Sequence, residues 1–174
     1  DDAILLAQNL TKVVSDLLTL SDDGGATLSE SDVAEATALL IAGATVIEFV
    51  FASLTEGTSD DADTASQQDS AAAVRSAYLD LATTVSEHVA SASAVESVAT
   101  LCLALTSTTD PALSSDEQLT VLSLVETLVN ASGSVGSIDD GTTSALIGSV
   151  SNVITAGVLG STNSSSVTDA ILHS

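Results

Sequence analysis

The charge of this chain is almost entirely of one sign, and that limits what it can fold into. It carries 24 Asp and Glu residues against two basic residues, Lys12 and Arg75, for a formal charge of −22. A surface of that charge repels itself. Yet 45% of the residues are hydrophobic, so the high charge and low hydrophobicity typical of disordered chains do not occur together. The sequence therefore predicts one folded domain, or two small ones, with an acidic surface.

The same imbalance excludes whole classes of partner. Nucleic acids are held through Lys and Arg contacts to phosphate, and this chain has almost none to offer. Anionic membrane surfaces are excluded for the same reason. High ionic strength or bound cations would favour such a surface. The partners that remain are other protein chains, copies of the chain itself among them.

The interior has to be aliphatic. Aromatic residues make up 2% of the chain (Phe49, Phe51 and Tyr78), and Trp and Met are absent. Leu, Val, Ile and Ala must therefore fill the core, which suits thin helical layers in close contact. Ligand cavities favour aromatic walls, so no cofactor is expected.

Apolar residues recur at spacings of three and four, which indicates amphipathic helices. We predict an all-α bundle of about six to seven such helices. A weak repeat between residues 18–32 and 105–116 favours two related helical hairpins. The predicted inward stripes, in chain order, are Ala3, Leu6, Leu10, Val13, Leu17 and Leu20; Val33, Leu40, Ile47 and Leu54; Val74, Tyr78, Leu81, Val85 and Val89; Val95, Val98, Cys102 and Leu105; Leu146, Val150, Val153, Ile154 and Val158.

Cap patterns and polar stretches divide the chain. Capping boxes are expected at Ser93, at Ser114 or Ser115, and a helix start at Ser29 or Ser31. We predict a helical hairpin over residues 1–56 and an acidic polar loop over 57–69. The bundle continues over 70–160 as the same domain. Residues 161–174 form a polar linker and the start of a further helix.

One apolar segment resembles a membrane span but is expected to be a buried helix. Residues 36–47 are bounded by Glu35 and Glu48, and a bilayer span needs roughly 20 apolar residues. No direct membrane insertion is predicted. The chain opens with Asp1-Asp2 rather than with a signal-peptide pattern, as expected of a processed product or a piece of a longer protein.

No catalytic motif is present, and we predict that the chain is not an enzyme. The only histidines are His88 and His173, with no nucleophile elbow and no zinc-binding helix motif. Cys102 lies on an apolar stripe, and we interpret it as a buried, inert thiol. A carboxylate-only active site is the alternative, but Glu35 and Glu48 are too far apart on their helix to pair.

Acidic runs could attract cations without forming a built metal site. They occur at Asp22-Asp23, at Asp60-Asp61-Ala62-Asp63 and at Asp139-Asp140. Calcium takes about six to eight oxygen ligands, but none of these runs has the spacing of a calcium-binding loop. We therefore expect weak Ca²⁺ association at most, and no transition-metal site.

Three Asn-x-Ser/Thr triplets are candidate N-glycosylation sites. They begin at Asn9, Asn130 and Asn163. Asn163 is expected in a linker and Asn130 at the end of a helix, which favours both as acceptors. Asn9 is expected in mid-helix, pointing away from the core. N-linked glycans are therefore predicted partners.

Two stretches share a further pattern, in which a Leu-rich helix is followed by a Ser/Asp turn and a Leu-Ser start of a second helix. They are Leu17–Leu40 and Leu101–Val129, about a third of the chain. The pattern resembles the helical region beside the autoproteolytic domain of adhesion receptors, and the receptor-for-egg-jelly region of polycystin-like proteins. The resemblance implies an extracellular, glycosylated module of a long surface protein. Some surface proteins of this kind are found on cilia. The chain's Leu172-His173-Ser174 lacks the family's cleavage motif, so no self-cleavage is carried over.

Together these features predict a non-catalytic structural or interaction module of a cell-surface or filament-forming glycoprotein. Its expected location is extracellular or at the cell surface. The alternative is an intracellular acidic helical protein of a salt-adapted organism, which the single cysteine favours, since no internal disulfide can form.

Overall fold

Helices account for nearly all of the chain that the computed structural model describes, namely residues 2–22, 28–56, 62–107, 112–136 and 138–172. They are α1 (Asp2–Asp22), α2 (Glu30–Glu56), α3 (Ala62–Ser86), α4 (Ala92–Thr106), α5 (Ser115–Val135) and α6 (Asp140–Leu172). Within those ranges there is no strand, and the predicted all-α bundle is confirmed.

Three helices form the centre of the bundle. Helix α2 packs against α1, α3 and α4, while α3 and α4 also pack against each other and against α5. Helix α1 covers α2 and α3, and α6 covers α4 and α5. Among the described residues α1 and α6 do not touch, so they cover different parts of the central layer.

The core is aliphatic, as the composition predicted. On α2, Val33, Leu40 and Ile47 are buried, and the α4 stripe of Val95, Val98, Cys102 and Leu105 is buried throughout. Burying one such aliphatic side chain stabilises the fold by about 1.5–3 kcal/mol. Phe51 and Tyr78 are also buried, whereas Phe49 is exposed.

Helix α1 turns only part of the predicted stripe towards the core, since Ala3, Leu10 and Leu17 pack against it and are partly buried. Ile4, Ala7 and Val14 are buried, whereas Leu6 and Val13 from the predicted stripe are about half exposed. Apolar residues surround most of this helix, so spacing alone allows more than one inward face. Ala7 lies among buried residues of α2 and α3, where α1 meets these two helices.

Tyr78 and Gly43 connect α1, α2 and α3 near Ala7. The Tyr78 hydroxyl, on α3, donates a hydrogen bond to the Ala7 carbonyl oxygen at 2.8 Å. The ring lies against α2 at Gly43, where an added Cβ would come within 2.0 Å of the tyrosine oxygen. A glycine in a helix interior costs roughly 1 kcal/mol relative to alanine. Here the cost is offset because three helices meet around one buried aromatic ring.

Helix starts agree with the sequence at two of three caps. Ser29 and Asp32 exchange hydrogen bonds at the start of α2, and Ser114 and Glu117 form a complete capping box at α5. At α4 the prediction was wrong. Ser91, not Ser93, is the N-cap, because its backbone is extended and its hydroxyl accepts a hydrogen bond from the Ala94 N–H.

Several helices are longer than the sequence suggested. Helix α3 begins at Ala62, so the expected loop over residues 57–69 is helical from 62 onward, and residues 57–61 lie outside the described chain. Helix α6 continues through Gly160 to Leu172, and the expected linker over 161–166 is helical. Glycine ends a helix where the backbone takes a positive φ. Among the described residues only Gly136, which follows α5, does so.

Helix α2 is also the one described helix whose length and composition would allow it to cross a membrane. The apolar stretch runs over Glu30–Leu54, longer than the 36–47 segment considered from the sequence. In the bundle α2 packs against α1, α3 and α4, but only 39% of its most apolar stretch is buried, so the predicted buried helix is partly exposed.

Candidate functional site

An apolar groove runs between the outward faces of α5 and α6. Its lining residues are Val125, Val129, Leu146, Ile147, Val150, Ser151, Ile154 and Thr155. The side chains of Ile147 and Ile154 are 65% and 62% exposed. Single exposed apolar residues are common on protein surfaces, but a contiguous set on two neighbouring helices typically marks a contact surface.

The groove exists because both helices are apolar over more than half of their circumference. Helix α5 buries Val121, Leu124 and Leu128, which leaves Val125 and Val129 on the next face. On α6, Leu146 and Val153 are buried, and Ile147 and Ile154 follow each of them by one residue. One residue is a rotation of about 100° around a helix, so the second row faces outward.

This division corrects the stripe predicted for α6. Leu146 and Val153 lie in the core as expected, but Ile154, assigned to the same stripe, faces solvent. Val150 is half-buried and belongs to the groove. The adjacent apolar pairs Leu146-Ile147 and Val153-Ile154 were the available signal in the sequence that α6 has two apolar faces.

The groove lining carries no charged side chain. The nearest acidic residues along the chain are Glu126, which follows Val125 on α5, and Asp140, which begins α6, and both are exposed.

The strongest electrostatic feature is buried elsewhere, between α3 and α5. Arg75 is 1% exposed, and its Nε and Nη2 donate to the two carboxylate oxygens of Glu117 at 2.9 and 3.1 Å. Nη2 also donates to the Ala112 carbonyl oxygen at 3.3 Å. The guanidinium carbon lies 5.2 Å from the centre of the Phe51 ring, a cation–π distance. One of the two basic residues therefore ties α2, α3 and α5 together.

Glu117 has a second role as part of the α5 capping box, in which it accepts from the Ser114 N–H at 2.8 Å. Burial by itself would raise the pKa of Glu117, but the hydrogen bonds from Arg75 and Ser114 outweigh it and hold that pKa below its ordinary value. The carboxylate stays ionised with its oxygens occupied, so the pair is suited to structure rather than to proton transfer. Sequence analysis missed it, although an arginine within an apolar segment was a visible signal.

Cys102 and His88, the cysteine and the histidine that the structure describes, lie on different elements. Cys102 is buried on α4, and burial raises the pKa of its thiol to about 11. A thiol is reactive as its thiolate, which such a pKa suppresses at neutral pH. His88 lies in the turn after α3 and is half-buried. His173 lies outside the described residues.

The described acidic residues that the sequence singled out, Asp139, Glu48 and Glu35, have separate environments. Asp139 Oδ1 accepts from the Thr142 N–H at 2.6 Å, which caps α6 and lowers the pKa of Asp139. Glu48 accepts a hydrogen bond from the Ser107 hydroxyl, whereas Glu35 is exposed. Among residues whose side chains are described, no three His, Cys, Asp or Glu form a group able to hold a metal ion. The runs at Asp22-Asp23 and at 60–63 lie outside those side chains.

The three sequon asparagines all lie in helices. Asn9 is exposed on α1, in mid-helix as predicted. Asn130 is exposed, but α5 continues to Val135, so it is not at the helix end as expected. Asn163 lies within α6 rather than in a linker, and its side chain is outside the described part.

Comparison with known proteins places the chain in no family. No protein-family model, no curated protein and no solved structure matches it. The resemblance to the helical regions of adhesion receptors and polycystin-like proteins therefore stays a prediction that rests on the two Leu-rich stretches alone.

Proposed function

We propose that this chain is a non-catalytic interaction module that binds another polypeptide through the groove between α5 and α6. The observation that carries the proposal is the pair of exposed isoleucines, Ile147 and Ile154, in a lining without charge. Removing such side chains from water is the main favourable term in most protein associations. The inert Cys102 and the structural role of Glu117 support a binding rather than a chemical role.

The proposed setting is a cell-surface or filament-forming glycoprotein. Two of its three candidate glycosylation sites, Asn9 and Asn130, have exposed side chains. Glycopeptide masses from native material, measured before and after enzymatic deglycosylation, test this setting. Sugar on Asn130 or Asn163 would establish the secretory route. Bare asparagines at full sequence coverage would instead favour the acidic intracellular protein of a salt-adapted organism.

Polypeptide binding at the groove is tested by an unbiased selection. A random peptide library displayed on phage is panned against the immobilised chain, and the selected peptides are re-tested against an Ile147→Gln/Ile154→Gln variant. Glutamine is a good helix former and both sites are exposed, so the variant is expected to fold. The proposal expects enriched peptides that bind the parent chain and not the variant.

A matched control separates the groove from general surface stickiness. Leu5→Gln/Val13→Gln alters two α1 residues of similar exposure, 56% and 52%. Peptides that lose binding to this control as much as to the groove variant would count against the proposal, as would a selection that enriches no peptide at all.

A further inference from the structure

We propose that the segment bound in the α5–α6 groove is an amphipathic helix whose apolar stripe is flanked by Lys and Arg residues. This inference rests on the proposed function, because it names the partner of the same groove. Two features of the molecule support it, namely the shape of the groove and the distribution of charge over the chain.

The groove has the form that a helix requires. Ile147 and Ile154 are seven residues apart on α6, and Val125 and Val129 are one turn apart on the facing side of α5. Seven helical residues span about 10 Å, the distance between side chains at i and i+7 of an incoming helix. Apolar residues at i, i+3 or i+4, and i+7 of a partner would lie between the two rows.

Charge decides which helix fits. The chain has only two basic residues, and Arg75 is buried against Glu117, which leaves Lys12 on α1 as the exposed one. The exposed carboxylates of Glu126 and Asp140 lie on the two helices that form the groove. A basic segment approaching it meets an attractive potential, which raises the association rate and the affinity at low salt.

The same charge disfavours the other occupants. A second copy would bring another formal charge of −22 to the interface, with Lys12 as its one exposed basic side chain. Like charges facing each other across an interface oppose association. An anionic lipid surface is repelled for the same reason.

An exposed apolar face on α1 is less suited to such a partner. Leu5, Leu6 and Val13 are exposed on α1, but Asn9 and Asp16 lie on the same side of that helix. This face belongs to a single helix, and polar side chains interrupt it. It therefore serves as the matched control surface.

Three synthetic peptides test the proposal by titration calorimetry against the full chain. The first has a leucine stripe at i, i+3, i+4 and i+7 flanked by Lys and Arg, and the second has the same composition in scrambled order. The third keeps the stripe and replaces each Lys and Arg by Gln. We expect the first to bind at least about tenfold more tightly than either of the others, and its affinity to fall as salt is raised.

Variants of the chain locate the binding. Ile147→Gln/Ile154→Gln is expected to weaken the basic amphipathic peptide by about tenfold or more, and Leu5→Gln/Val13→Gln to leave its affinity unchanged. Circular dichroism melting curves confirm that both variants remain folded. A loss of binding that follows the α1 variant instead would overturn the proposal.

The remaining outcomes separate this proposal from the proposed function. Equal binding of the Gln-flanked peptide, sensitive to the groove variant, would refute a basic partner and leave the docking groove intact. Equal binding of the scrambled peptide would reduce the effect to general attraction between opposite charges, which overturns the inference. Concentration-dependent dimerisation in sedimentation, abolished by the groove variant, would make a second copy the occupant. Failure of all three peptides to bind would count against both proposals.

Discussion

Two helix contacts in this bundle are built from opposite chemistry. Helices α3 and α5 meet at the buried Arg75–Glu117 ion pair, whereas α4 and α6 meet through small and hydroxyl-bearing side chains. At the second contact Gly148 lies against Leu103, and Asn152 donates to the Thr106 hydroxyl at 3.2 Å. The first contact depends on charge and the second on side-chain volume.

This difference in chemistry predicts which helix contact is more sensitive to a single substitution. A buried ion pair contributes little net stability compared with apolar residues of the same size, but removal of one partner leaves the other charge buried and unpaired. A contact between small residues has no such charge to expose. We therefore expect the α3–α5 contact to respond sharply to single substitutions and the α4–α6 contact to respond mildly.

Removing the carboxylate from the ion pair is expected to have the largest effect. Glu117→Gln should lower the free energy of unfolding by about 3–5 kcal/mol, because the buried Arg75 would lose the carboxylate that its Nε and Nη2 both contact. Urea unfolding measures this, with Glu126→Gln, an exposed site on the same helix, as the control. The control should change stability by no more than about 0.5 kcal/mol. If both variants unfold at the same urea concentration, the buried pair does not hold α3 and α5 together.

Volume is tested by adding one methyl group at each of two glycines. At Gly43 the new Cβ would come within 2.0 Å of the Tyr78 hydroxyl oxygen, on a rigid ring, so Gly43→Ala should destabilise by about 1–3 kcal/mol. At Gly148 the nearest atom is the flexible Cδ1 of Leu103 at 2.8 Å. The gain in helix propensity of about 1 kcal/mol should leave Gly148→Ala near neutral. The melting temperatures of the two variants, measured side by side, test this expectation. A larger loss for Gly148→Ala than for Gly43→Ala would show that the α4–α6 contact tolerates added volume less well than the α2–α3 contact.

A hydrogen bond across the α4–α6 contact should matter less. Asn152→Ala removes the donor to Thr106, whose own hydroxyl also donates to the Cys102 carbonyl oxygen at 3.0 Å. Since that second bond remains, the loss should be about 0.5–1.5 kcal/mol, measured by urea unfolding. A loss as large as that of Glu117→Gln would remove the distinction between the two contacts.

Acid should remove the contribution of Glu117 to the stability of the α3–α5 contact, whereas pH changes near neutrality should have little effect on it. The folded-state pKa of Glu117 lies below its value in the unfolded chain, so its ionisation stabilises the fold above the unfolded pKa. That stabilisation is lost as the pH falls below about 4.5, through the folded pKa. Other carboxylates titrate in the same range, so the proper measurement is the stability difference between the parent chain and Glu117→Gln as a function of pH. The difference should shrink on acidification, and a constant difference would contradict the role of this carboxylate.

Local signals predicted the parts of the fold that depend on neighbours in sequence. The Ser114–Glu117 capping box and the Ser29 start were found because cap hydrogen bonds join residues three apart. The α4 stripe was found because its apolar residues occupy one face only. The face of α1 was predicted only in part, because its apolar residues occupy more than one face.

The groove between α5 and α6 could not be predicted from these local signals. Ile154 was assigned to the core, and its position in a groove depends on how α6 is rotated against α4 and α5. The partnership of Arg75 with Glu117 joins residues 42 apart in the chain, which no local pattern encodes. The proposed glycosylation sites were found by motif alone, and their placement in helices came from the fold.

The sequence by itself determined the class of this protein. Apolar spacing and scarce aromatic residues required an aliphatic helical bundle, and the charge of −22 led to the prediction that nucleic acids and anionic membranes are not partners. Only the tertiary structure decided which apolar faces turn inward, because several helices have more of them than the core can cover. It also decided that Arg75 is buried, since burying a guanidinium requires a carboxylate that only the fold brings within reach. It also left the apolar groove between α5 and α6 exposed.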